Sequence, residues 1–156
     1  TAWDITAAGD SSLSFPMWGA MGQAAMMGLG LALAQPQRRV LVITGDGEML
    51  MGLGSLATIG VQRPANFGIV VIDNERYGET GMQATHTAAG VDLAGVAKAC
   101  GLAVCAWEEI RRSPGPAFAV AKVAAEKIPI VLPPREGALL KARFRRALLG
   151  PDADSI

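Results

Sequence analysis

One acid sits between two glycines where an apolar run ends. Gly45-Asp46-Gly47-Glu48 follow Val40–Ile43 and Thr44. Gly45 and Gly47 allow a sharp turn and a close approach to main-chain N–H groups. A helical pattern starts near Glu48, and the free N–H groups of a helix start favour an anion. Such a triplet is equally compatible with a plain strand-to-helix turn carrying a capping Asp. A second apolar run, Phe67–Asp73, ends on Asn74. Asp46 and Asn74 are hard oxygen donors, and a main-chain carbonyl just after Asn74 offers a third. Three protein oxygens leave half an octahedron open, which Mg²⁺ commonly fills with phosphate oxygens and water. The chemistry read from these residues is therefore a Mg²⁺-bridged diphosphate. Neither the cysteines nor His86, the one histidine, is needed for a hard cation. No G-x-x-x-x-G-K-[ST] loop is present, and the glycines of "MGLGLALA" do not follow a strand as a dinucleotide fingerprint must. They read as close helix packing.

The two motifs meet only if their strands are neighbours. Val40–Thr44 and Phe67–Asp73 are continuous β-branched runs, as in strands covered on both faces. Helices are expected over Gly19–Ala34, Glu48–Gly60, Val91–Cys100 and Ala138–Leu149. Further strands are expected at Leu102–Trp107 and Ala117–Val123, with an extended piece at Ile128–Leu132. Gln35–Arg39 reads as a turn. Strands alternating with helices imply an α/β fold, a mainly parallel sheet flanked by helices on both faces. Ligands of such sheets bind at the strands' carboxyl ends. Both motifs fall there, as does the polar loop Asn74–Gly90. In the last helix Leu139, Leu140, Phe144, Ala147 and Leu148 form an apolar face. Lys141, Arg143, Arg145 and Arg146 read as a solvated face rather than a binding patch.

The 156 residues suit one domain, 1–156, with a substantial core, since 51% are apolar. Fourteen basic residues balance fourteen acidic ones, which leaves no electrostatic footprint for nucleic acid or an anionic membrane. The apolar stretch Ala24–Ala34 is too short to span a bilayer. Cys100 and Cys105 read as reduced core thiols of a cytoplasmic protein.

Gly45–Gly78 as a whole resembles the signature of thiamine-diphosphate-dependent enzymes: GDG, a helix, a strand, then an Asn-containing end. The family has Asn-Asn where this chain has Asp73-Asn74, and the second position, the metal ligand, is kept. Upstream, "MWGAMGQAAMMGLGLALA" is similar to the segment that holds the cofactor rings. "MLMGLGSLATIG" and "DNERYGETGMQATHT" resemble more closely the diphosphate-binding (beta) subunit of sulfopyruvate and phosphonopyruvate decarboxylases. The likeness covers Trp18–Gly101; Glu75 and Arg76 replace small residues of that branch. It implies a thiamine-diphosphate-binding fold with Mg²⁺ on Asp46, Asn74 and the carbonyl of Arg76. Cofactor contacts are implied for Gly19, Ala20, Met21, Gly45, Asp46, Gly47, Glu48, Asn74, Arg76, Tyr77, Gly78 and Thr80. Gly19 would accept from the aminopyrimidine, and Met21 would be the wedge bending the cofactor. The loop also brings Thr80, Gln83 and His86 into view; His86 reads either as an acid/base group or as a surface histidine.

The glutamate that activates the cofactor has no counterpart in this chain. The resemblance thus implies one subunit of a heteromer, α₂β₂ or larger, whose pyrimidine-binding (alpha) partner supplies that acid. A first strand is expected to precede Thr1. The implied reaction is non-oxidative decarboxylation of a small 2-oxo acid by a lyase, with the cofactor accepting the electrons as CO₂ leaves. Two alternatives remain: a thiamine-dependent carboligase of the acetolactate-synthase kind, and a non-catalytic subunit holding a nucleotide diphosphate.

Overall fold

The structure, a computed structural model, describes residues 1–126, 129–150 and 153, which form two compact units. The larger, Ala20–Lys127, holds the sheet. Its strands are β1 (Val40–Gly45), β2 (Phe67–Asp73), β5 (Ala103–Val104) and β6 (Ala117–Lys122), parallel and ordered β1-β2-β6-β5. A short antiparallel ribbon, β3 (Arg76–Tyr77) with β4 (Gln83–Ala84), follows β2. The helices of this unit are α2 (Ala24–Ala34), α3 (Asp46–Met51), α4 (Ser55–Gln62) and α5 (Leu93–Ala99).

Val42, Phe67, Ile69, Val71 and Phe118 line one sheet face and pack on Ala25 and Leu29 of α2, Met49 of α3, Leu56 and Ile59 of α4, and Leu93 and Ala97 of α5. The opposite face buries Val70, Ala117, Ala119 and Ala121 with Ile110, from a segment that includes a 3-10 turn at Trp107–Glu109. Strand pattern and burial agree here: β2, apolar at every position but its last, is the central strand between β1 and β6. Its pairing with β1 sets Gly45 beside Ile72, so the residues that follow, Asp46 and Asp73-Asn74, leave the sheet at the same level.

The expected helix Gly19–Ala34 starts only at Ala24, because Gly19 and Gly22 have φ of 61° and 84°, outside the helical region. The helix expected over Glu48–Gly60 is two helices. Two glycines flanking Leu53 weaken the helix there, and Gly52 lies so close to Gly22 that a Cβ would overlap the Gly22 carbonyl. Strand Leu102–Trp107 shrinks to β5. Of the extended piece at Ile128–Leu132, Ile128 lies outside the described residues, and 129–132 have no regular structure. Cys100 and Cys105 are free and half-buried, at the margins of the two clusters rather than inside them.

In the smaller unit, α1 (Ala2–Ala8), a helix the sequence reading did not anticipate, and α6 (Gly137–Leu149) are the regular elements. Phe15 meets Phe144 edge-on at 5.4 Å, and Arg135 stacks over Trp18 at 5.1 Å. Leu140 is buried while Leu139 is exposed, so the apolar face of α6 is narrower than expected. Arg143 departs from a solvated face: it pairs with Asp10 and is half-buried.

Gly28 carries α2 onto the sheet. A Cβ there would overlap the Val42 side chain and lie 2.9 Å from the Phe67 ring. Gly28→Ala is expected to cost about 1–3 kcal/mol. Calorimetry should then show a Tm lower by about 2–10 °C.

Candidate functional site

Asp46 opens α3 and is 2% exposed. A buried carboxylate needs donors. Thr85 Oγ donates to Asp46 Oδ2 at 2.6 Å, and Thr87 Oγ stands 3.1 Å from the same oxygen. The other oxygen, Oδ1, takes no hydrogen bond among the described residues. Thr87 Oγ also reaches Asp73 Oδ1 at 2.9 Å. Asp73, likewise 2% exposed, accepts the Glu75 N–H at 3.0 Å and pairs with Lys122 Nζ at 2.9 Å. Lys122 also meets Glu75 Oε1 at 2.7 Å. Hydrogen bonds to Glu75 and then to Asp73 hold the Lys122 ammonium above the ordinary lysine range, against a smaller opposing effect of burial.

Asn74 Oδ1 accepts the Arg76 N–H at 3.0 Å, a local Asx turn. The Thr85 N–H donates to the Glu75 carbonyl at 3.0 Å. Arg76 and Ala84 therefore face each other as a pair without mutual hydrogen bonds. The Arg76 N–H and C=O both point away from β4. Its guanidinium folds back on the Glu75 carbonyl at 2.8 Å. Thus Asp46 Oδ1, Asn74 Oδ1 and the Arg76 carbonyl all retain acceptor capacity, at the carboxyl ends of two adjacent parallel strands.

The glycines differ in role from the sequence reading. The helix starts at Asp46 rather than Glu48, so Gly47 lies in its first turn. A Cβ on Gly47 would overlap the Tyr77 ring, so the space expected to admit phosphates on that side belongs to Tyr77. Gly45 is extended, with φ of −94°, and needs no glycine on backbone grounds. Glu48 accepts hydrogen bonds from Thr44 and from the backbone of α2. Thr80 and Gln83 bond each other at 2.9 Å across the exposed tip of the β3–β4 ribbon, near Gly78. Ala20 and Met21 precede α2, and Met21 is 47% exposed. Gly19 belongs to the smaller unit. His86 is exposed between two buried threonines and takes no part in the Asp46 network.

The sequence alone does not mark Thr85, Thr87, Asp73 and Lys122 as site residues. The one sequence signal was Thr-His-Thr, two hydroxyls a residue apart in a loop already marked as functional. Thr87→Val removes the hydroxyl that the buried carboxylates of Asp46 and Asp73 share and is expected to cost about 1–3 kcal/mol. The exposed Thr80→Val should change stability by less than about 0.5 kcal/mol; denaturant titration of both variants checks the contrast. For Lys122, the raised folded-state pKa means the stabilisation is full below the ordinary lysine value and is lost as pH climbs through the raised one. The Tm difference between wild type and Lys122→Met should hold through neutral pH and close in the strongly alkaline range.

An acid at the end of β1, an amide at the end of β2 and a helix start between them belong to a known class. Residues 5–132 match the family model of the thiamine pyrophosphate enzyme, C-terminal TPP binding domain, and the chain belongs to that family. Among curated relatives, it is 48% identical over 101 residues to the sulfopyruvate decarboxylase subunit beta of Methanocaldococcus jannaschii, covering 65% of this chain and 53% of that one. It is 52% identical over 92 residues to the phosphonopyruvate decarboxylase of Streptomyces viridochromogenes, covering 59% of this chain and 23% of that one. The chain thus spans about half of the first relative and under a quarter of the second. The solved transketolase of Campylobacter jejuni has the same fold, with a TM-score of 0.53 at 20% identity, over 67% of this chain and 20% of that one. No helix among the described residues is long and apolar enough to cross a membrane.

Proposed function

We propose that this chain is the diphosphate- and Mg²⁺-binding subunit of a cytoplasmic, two-subunit, thiamine-diphosphate-dependent 2-oxo acid decarboxylase of the sulfopyruvate and phosphonopyruvate type. The observation that carries the reading is the division of labour on Asp46. One carboxylate oxygen accepts the Thr85 hydroxyl and lies within reach of Thr87 Oγ, and the other takes no hydrogen bond among the described residues. That is the state of a ligand held for a cation. The donor set fits Mg²⁺: all oxygen, one carboxylate, one amide and one main-chain carbonyl. No cluster of three His, Cys, Asp or Glu side chains suited to a metal occurs among the described residues, so a softer, all-side-chain metal centre has no support.

In this reading Asp46, Asn74 and the Arg76 carbonyl hold the ion that anchors the diphosphate. Gly45, Gly47, Tyr77, Gly78 and Thr80 surround it, while Ala20 and Met21 serve the ring end. Bound thiamine diphosphate supplies the electron sink for decarboxylation. This chain's residues bind it and orient it. The activating glutamate comes from a pyrimidine-binding partner subunit; that the Methanocaldococcus relative is a subunit beta supports a heteromer. His86, exposed on the loop that carries Thr85 and Thr87, is this chain's candidate proton donor to product.

Asp46→Ala should abolish Mg²⁺-dependent retention of thiamine diphosphate on gel filtration, while Mg²⁺ plus the cofactor should raise the wild-type Tm. Stabilisation by ADP or NAD alone would refute the reading in favour of a nucleotide-binding subunit. With the partner present, a panel of 2-oxo acids should release CO₂ and aldehyde. Condensation products instead would point to a carboligase.

A further inference from the structure

Glu48 lies two residues beyond Asp46, yet its side chain takes no part in the Asp46 network. Oε1 accepts the backbone N–H of Ala24 at 3.0 Å, and Oε2 accepts Thr44 Oγ at 2.5 Å. Ala24 is the first residue of α2, so its N–H has no partner within its own helix. Gln23, at the N-cap position, gives no side-chain bond, and the first turn of α2 holds no acid. Glu48 therefore supplies in trans the negative charge and the acceptor that the start of α2 lacks. A second fastening lies at the other end of α3. Gly52 packs against the backbone of Gly22, and a Cβ on Gly22 would stand 3.0 Å from the Met51 carbonyl carbon. Met21 immediately precedes Gly22. One short helix thus begins with Asp46, grips the start of α2 at its middle, and abuts the Met21 turn at its end.

We propose that Glu48 is a positioning residue rather than a cofactor contact: through Ala24 it fixes the spacing between the Asp46 metal loop and the Met21 turn, and so the length of cofactor the chain accepts. This rests on the reading of the site given above. A ligand that touches only the metal loop does not sense this spacing, whereas one that reaches both places does.

The test uses the complete enzyme containing this chain and compares affinity for two ligands, Mg²⁺ with inorganic diphosphate and Mg²⁺ with thiamine diphosphate. Glu48→Ala should weaken thiamine diphosphate about tenfold, in line with the loss of a charged hydrogen bond, and leave diphosphate within about twofold. Glu48→Gln keeps an acceptor for Ala24 and a partner for Thr44, and should stay within about fivefold of wild type on both ligands. Amide exchange at Ala24 in the ligand-free protein should quicken in Glu48→Ala and not in Glu48→Gln. Gly52→Ala, which pushes Gly22 away and leaves the Glu48 side chain in place, should reproduce the selective loss and keeps the test open if Glu48→Ala does not fold. Equal losses on both ligands, or no loss on either, would overturn the positioning role alone. A wild-type enzyme that binds neither ligand would overturn the site reading and this inference with it.

Discussion

A carboxylate cannot be buried at a strand end without compensation, and the arrangement of this site follows from how Asp46 is compensated. Its donors are not neighbours in sequence. Thr85 and Thr87 lie beyond β2, beyond the β3–β4 ribbon, at the start of a 3-10 turn (His86–Ala89). For those hydroxyls to arrive, the chain must leave β2 at the level of Asp46, reverse through the ribbon and return. Of the left-handed residues, Glu75 (φ 62°) opens that excursion just before β3, and Met82 (φ 63°) completes its reversal just before β4. The Asx turn at Asn74 and the Glu75 N–H bond to Asp73 set its entry. Satisfying one acid thus fixes the path of the whole loop.

A second buried acid, Asp73, stands at the end of β2, next to the amide Asn74. An amide needs no counter-ion; a carboxylate does. Lys122, at the last position of β6, provides it, and β6 pairs with β2 so that Asp73 lies opposite Lys122. The ion pair is half in solvent, and it adds a charge tie across the sheet next to Asp46.

Much of this was legible in the sequence because it rests on local signals. The β-branched runs at Val40 and Phe67 mark buried strands, and a parallel pair brings Asp46 and Asn74 to one end. Close packing at Gly28 follows from an all-apolar helix with glycines. What escaped was tertiary. The break of the Glu48–Gly60 helix depends on Gly52 meeting Gly22, a contact no window of sequence contains. The roles of Thr85 and Thr87 depend on a loop path, since threonine in a polar loop is ordinary. In sequence Gly47 suggests room for phosphate, because nothing local places the ring of Tyr77, thirty residues on, over it. The position of Glu48 in the motif implies a cofactor contact, while its carboxylate is committed to Ala24 and Thr44.

The two threonine hydroxyls carry a further consequence when their protons are counted. Thr85 Oγ and Thr87 Oγ make four close oxygen contacts among themselves, Asp46 and Asp73, but they own two hydrogens between them. Thr85 spends its hydrogen on Asp46 at 2.6 Å. The single hydrogen of Thr87 then has three acceptors within reach. Whenever it points at Asp73, Asp46 has one hydroxyl donor instead of two, and its charge is correspondingly less screened. The rotor angle of one hydroxyl therefore sets how the negative charge is shared between two buried acids, a degree of freedom that leaves every heavy atom where it is.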